Sequence, residues 1–153
     1  MQGLAVRRRA VRLPEPEGPR AGRAGRGPNL RLLILGDSSA AGVGAGMQAQ
    51  ALSGQLVARL GRHYAVSWQL EAMTGRTTAD ALAALDRVEG PIDMAVTALG
   101  VNDVTRGVSR ARFAEGQAAL VERLQAMGAR RLVLSGVPPM ERFPALPQPL
   151  AWV

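Results

Sequence analysis

A three-layer α/β/α domain built on a parallel sheet is what this sequence predicts, and three observations predict it. Leu32, Leu33, Ile34 and Leu35 form an apolar run without alternation, as expected of a strand covered by helices on both faces. Segments with helical spacing of apolar residues separate this run from three later ones of strand length. Short glycine- and proline-containing links then give the order β-α-β-α-β-α-β, which calls for right-handed crossovers and helices on both sheet faces.

The first strand begins at Leu30 and stops at Gly36-Asp37-Ser38-Ser39. Ala49 to Leu60 carries apolar residues at Leu52, Leu56, Val57 and Leu60, a helical spacing, and Gly61 is placed to end it. Tyr64 to Met73 reads as the second strand, with Val66, Trp68 and Leu70 alternating. Thr77 or Thr78 can cap a helix running to Val88, and Asp80 suits its first turn. Gly90-Pro91 breaks the chain before a third buried strand, Ile92 to Leu99. A long helix from Ser109 or Arg110 to about Met127 turns Phe113, Leu120, Val121 and Leu124 inward. Arg131 to Val137 is the fourth strand, and Pro138-Pro139 stops it. Met140 to Val153, with Pro144, Pro147 and Pro149, reads as a chain cut partway through a connection.

The 153 residues have room for one domain, and a 47% hydrophobic content supplies its core. No apolar stretch approaches the roughly 18 residues of a membrane span, and the N-terminus has no apolar signal core. The chain as written therefore reads as cytoplasmic, and a longer form as membrane-anchored or exported. The absence of cysteine rules out disulfides and thiolate metal sites, and a single histidine, His63, rules out a multi-histidine site.

The net charge of +7 is unevenly spread. Eight of the nineteen arginines lie in residues 1–31, against only Glu15 and Glu17, so the rest of the chain is almost neutral. Residues 1–29 are expected to be a flexible basic leader, too rich in Pro, Gly and Arg to fold alone. Residues 30–153 are the domain. All basic residues are arginine, which points to genome composition rather than specific nucleic-acid binding. The leader's charge suits no more than weak contact with an anionic membrane.

The functional centre is expected where the first strand ends, because open α/β sheets bind ligands at the carboxyl ends of their strands. Ser38 sits there between Gly36 and the small residues Ala40, Ala41 and Gly42, with little bulk around its hydroxyl. A serine nucleophile needs a base and donors for the oxyanion it creates. Gly75 in MTGRTT and Asn102 in LGVND follow the next two strands.

Gly36-Asp37-Ser38, the later Gly75 and Gly100-Val101-Asn102-Asp103 together resemble the first three sequence blocks of the SGNH (GDSL-type) hydrolases. The similarity extends from Leu30 to about Leu150 and implies a flavodoxin-like α/β domain whose last strand and helix are missing here. It also implies a serine esterase needing no cofactor. Ser38 would be the nucleophile, Ser38 N–H, Gly75 N–H and the Asn102 amide the oxyanion donors, and Gly36, Asp37, Gly100 and Asp103 the loop supports. The substrate would be a small-molecule, lipid or sugar ester.

Other readings of the same residues stand beside this one. Ser38 and Asn102 could simply cap turns, and Asp37 with Asp103 could bind a divalent cation. GDSSAAGVGAG could cradle a phosphate, although no lysine follows it and Asp37 would repel the anion. His63 ends the first helix, about 17–20 Å from Ser38 across the length of a strand, and Asp86 before the third strand and Asp93 at its very start lie on that same wrong edge. The family's Asp-x-x-His block has no counterpart here, so the chain alone is expected to be inactive. A non-catalytic ligand-binding module on a degenerate hydrolase fold is the alternative.

Overall fold

The computed structural model describes residues 13–138; residues 1–12 of the leader and the Met140–Val153 tail lie outside them. The strands are β1 (Ala21–Ala24), β2 (Asn29–Gly36), β3 (Ala65–Ala72), β4 (Met94–Ala98) and β5 (Arg131–Leu134). The helices are α1 (Ser38–Ala41), α2 (Leu52–Leu60), α3 (Thr78–Ala84), α4 (Val101–Thr105) and α5 (Arg110–Ala126), and 3₁₀ turns span Gln48–Gln50 and Leu85–Arg87. They form one five-stranded sheet in the order β1-β3-β2-β4-β5. Strands β3, β2, β4 and β5 run parallel.

The missing alternation in β2 has the anticipated cause. Leu32 and Ile34 pack on one face with Ala40, Ala41, Val57, Val66 and Leu70, under α1 and α2. Leu33 and Leu35 pack on the other with Ala81, Leu85, Leu120 and Leu124, under α3 and α5. Each buried leucine, isoleucine or valine among them contributes about 2 kcal/mol of transfer free energy. The chain moves from β2 to β3 on one side and then to β4 on the other. The sheet's order therefore reverses at β2, the kind of crevice where doubly wound sheets bind ligands.

Three features depart from the expectation. Ala21–Ala24, inside the segment read as a leader, forms an edge strand antiparallel to β3, which makes the sheet mixed rather than all parallel. Its side chains are mostly exposed, so main-chain pairing holds it and no hydrophobic pattern announces it. Gly22 lies against the Trp68 indole, where an added Cβ would stand 3.3 Å from Nε1. The short helices α1 and α4 were also unannounced, since four or five residues are too few to display a helical period. Finally, β5 ends at Leu134 instead of Val137, leaving Val133 and Leu134 about half exposed.

At the amino edge, Arg31 donates to Asp93 through its main-chain N–H and Nε, both at 2.8 Å, and through Nη2 at 2.6 Å. These bonds, the Arg31 side chain's first among them, hold the Asp93 carboxyl at a pKa of about 2. A depressed carboxyl stabilises the fold above its unfolded pKa and ceases to do so as pH falls through the folded value. Between about pH 4 and 2 the protein should lose the stability this pair supplies, about 0.5–1 kcal/mol after solvent screening. Acid titration of Asp93→Asn, followed by circular dichroism, should lack that increment.

Candidate active site

Strands β2, β3 and β4 deliver three loops to the carboxyl edge, and the backbone is drawn tightly together where they leave the sheet. Gly36 has no room for a side chain: a Cβ would meet Ala98 O at 2.4 Å and Ala40 Cβ at 2.6 Å. The next N–H, of Asp37, donates to that same Ala98 carbonyl at 3.0 Å. Met73 N–H donates to Gly36 O at 3.1 Å, tying the loop after β3 to the end of β2.

Asp37 is buried and caps α1. Its Oδ1 accepts the Ser39 N–H at 2.9 Å and the Ser39 hydroxyl at 2.8 Å. The hydroxyl of Ser39 is thus committed to the carboxylate. Ser38, half-buried at the start of α1, donates or accepts no side-chain hydrogen bond among the described residues, and its N–H is likewise unpaired there.

Gly75 occupies the third position of a turn closed by Arg76 N–H to Met73 O at 3.2 Å. Its φ of +84° is the left-handed value that a type II turn demands, which is why glycine stands there. Among the described residues an added Cβ would find only Arg106 Nη2, at 3.9 Å, so they leave the space in front of this turn open. A hollow of about 450 Å³ adjoins it, lined in part by Met73, Thr74, Arg76, Asp80 and Arg106. The Gly75 carbonyl accepts from Arg106 Nη2 at 2.6 Å, and its N–H has no acceptor among the described residues.

Asn102, on α4, is where the three loops meet. Its Nδ2 donates to Asp37 Oδ2 at 3.2 Å and to Arg76 O at 3.1 Å. Because both partners are pure acceptors, the amide orientation is unambiguous. Both bonds lie at the long end of the range, so a third acceptor placed nearby could share one of them at little cost. Gly100, at φ +123°, precedes α4 in contact with Phe113, and a Cβ would strike Val137 Cγ2.

The buried carboxylate of Asp103 takes Thr78 N–H at 3.0 Å and the Thr78 hydroxyl at 3.1 Å, joining α4 to the start of α3. The same hydroxyl accepts from Gln117 Nε2 at 2.9 Å. Thr77 rather than Thr78 is the cap, in a reciprocal box with Asp80. The Thr77 N–H and hydroxyl hold the Asp80 carboxyl below the usual aspartate pKa, with help from Arg106. Asp37 and Asp103 therefore face different donors rather than a common centre.

Residues that no motif marked complete the Gly75 loop. The Arg76 guanidinium is buried, pairing with Glu71 Oε1 at 2.9 Å and the Glu71 carbonyl at 2.8 Å. Glu15 accepts both the Thr74 N–H and the Thr74 hydroxyl at 2.7 Å. Burial pushes the Glu15 carboxyl up, but the Thr74 bonds and Arg20 outweigh it and hold the pKa below the ordinary glutamate value.

His63 is exposed beyond α2, two residues before β3. Since Ala65 pairs with Asn29 and Ala72 with Gly36, it lies about 23 Å away along β2 from the Ser38 end. Asp86 pairs with Arg123 at 3.1 Å and Asp93 with Arg31, both away from Ser38. Among the described residues no helix is long and apolar enough to cross a membrane.

Solved structures share this arrangement of strands and helices. The chain is 30% identical to TesA, with a TM-score of 0.66 over 74% of this chain and 64% of that one. It is 27% identical to AlinE4, an SGNH-hydrolase family esterase, with a TM-score of 0.61 over 75% and 64%. A psychrotrophic esterase, EstA from Pseudoalteromonas sp., crystallised inhibited by monoethylphosphonate, is 25% identical, with a TM-score of 0.57 over 71% and 61%. The chain thus spans less than two thirds of the length of each. No curated protein matches the sequence significantly. Residues 34–153, which contain all three loops that meet at Asn102, match the model of the GDSL-like lipase/acylhydrolase family, and the chain belongs to that family.

Proposed function

We propose that the protein hydrolyses carboxylic esters through an acyl-enzyme on Ser38. The observation that carries this reading is the Asn102 amide, bonded at once to Asp37 beside Ser38 and to Arg76 beside Gly75. It brings one hydroxyl and two N–H groups that are unengaged among the described residues to one edge of the sheet. In this reading Ser38 Oγ attacks the ester carbonyl carbon as a base removes its proton. The negative charge that develops on the carbonyl oxygen is met by Ser38 N–H, Gly75 N–H and one Asn102 N–H, which leaves its long bond to Arg76 or Asp37. The alcohol departs with a proton, and water then releases the acid by the same steps. The esterase neighbours AlinE4 and EstA support the reaction class. The alcohol it releases is that of a small molecule, a lipid or a sugar.

The base is not among these 153 residues in this reading, because the one histidine lies at the far edge of the sheet. That same distance favours a second reading, a non-catalytic ligand-binding module. A fluorophosphonate probe separates the two. Under the esterase reading, a form of the protein that also supplies an imidazole is labelled, and peptide mass spectrometry places the adduct on Ser38. The 153-residue chain reacts slower by about 10³-fold or more. If the imidazole-supplied form is no more reactive than the chain alone, the binding module is correct.

A further inference from the structure

The segment Leu13–Arg20 runs between the region after the Ser38 helix and the loop after β3, and it is bound on both sides. On one side, Gln48 N–H donates to Glu17 O at 2.8 Å and Gln48 Nε2 reaches Pro16 O at 3.4 Å. The buried Gln48 also donates to Ala41 O at 2.9 Å, at the end of the helix that Ser38 begins. Pro16 packs against Gly42, where an added Cβ would stand 3.2 Å from Pro16 Cγ. On the other side, Glu15 Oε1 holds Thr74 by its N–H and its hydroxyl. Glu15 Oε2 pairs with Arg20 Nη1 at 3.0 Å, and Arg20 Nη2 donates to the Ala72 carbonyl at the end of β3. A continuous run of bonds therefore links the Ser38 helix to the Gly75 turn through residues that precede the first parallel strand.

We propose that Glu15 is a positioning residue for catalysis, fixing the Gly75 turn so that its N–H faces the oxyanion. The inference rests on the esterase reading above. Its physical ground is the freedom of glycine, which lets the peptide planes beside Gly75 rotate unless neighbours restrain them. The Thr74–Gly75 plane carries the N–H in question. Two bonds to one Glu15 oxygen fix Thr74 on one side of that plane, and Arg106 holds the Gly75 carbonyl on the other. Glu15 touches no substrate. It acts through Thr74, and Arg20 offsets its charge.

The test uses an ester-hydrolysing form of the protein, with p-nitrophenyl acetate as substrate and amide hydrogen exchange at Thr74 and Gly75 as a readout independent of turnover. Glu15→Ala should lower kcat by about tenfold or more, since misdirecting one oxyanion donor costs turnover rather than binding. KM should change by less than about threefold, and exchange at Thr74 should rise. Glu15→Gln keeps one oxygen to accept the Thr74 N–H, so it should recover much of the lost kcat; it also serves if the alanine variant folds poorly. Faster exchange with unchanged kcat, or unchanged exchange, would overturn the positioning role in a protein that Ser38→Ala inactivates. Turnover that survives Ser38→Ala would instead overturn the esterase reading beneath it.

Discussion

Replacing Ser38 by alanine is expected to lower ester turnover by about 10⁴–10⁶-fold and to abolish phosphonate labelling, whereas Ser39→Ala should stay within about tenfold of the parent. The two hydroxyls are neighbours in sequence but not in chemistry. The Ser39 hydroxyl donates to Asp37 Oδ1 at 2.8 Å, so losing its proton would set a second anion against a buried carboxylate. The Ser38 hydroxyl has no such partner among the described residues and stands at the carboxyl end of the central strand. Ser39→Ala still keeps the main-chain N–H that Asp37 caps, and should cost about 0.5–1 kcal/mol of stability. Steady-state kinetics with intact-mass analysis of the phosphonylated protein checks both halves of the contrast. Equal losses from the two variants would remove the distinction.

The second large effect is expected at Asn102. Asn102→Ala should cost about 10²–10³ in kcat, the usual loss for one oxyanion donor. Asn102→Asp preserves the shape and should be worse, by about 10³-fold or more. It directs an acceptor at Asp37 Oδ2 and Arg76 O, where the amide had donated at 3.2 and 3.1 Å, and it opposes the oxyanion itself. Thermal unfolding should show a loss of about 2 kcal/mol at neutral pH, because two carboxylates then face each other in a partly buried site. The introduced carboxyl has its pKa raised in the folded state, so the deficit should shrink as pH falls through that raised value. A deficit independent of pH would show that lost packing, not charge, is responsible.

The parallel strands and the longer helices were legible because period survives in a single sequence. Leu32 to Leu35 lack alternation for the reason observed, two helix layers, and Leu120 and Leu124 do lie on the inner face of α5. That the loops after β2, β3 and β4 share one edge also follows from the β-α-β order. What stayed hidden depends on contacts between residues distant in the chain. Strand β1 has no hydrophobic signature, and α1 and α4 are shorter than any period that would reveal them. Glu15 looked like one of two acids in a basic leader, yet it reaches Thr74, 59 residues away in the chain. Arg76 and Arg106 were lost among nineteen arginines, though one is buried against Glu71 and the other holds Gly75.

By itself, the sequence determined the covered central strand, the order of the parallel units and the small-residue break where Ser38 lies, since these depend on which residues are apolar and how they are spaced. Only the tertiary structure decided that Asn102 bridges Asp37 and Arg76, that Ser39 is tied down while Ser38 is not, and that a segment ahead of the domain grips the Gly75 turn. Hydrogen bonds of that kind are set by direction and distance, and those quantities exist only once the sheet has brought the loop ends together.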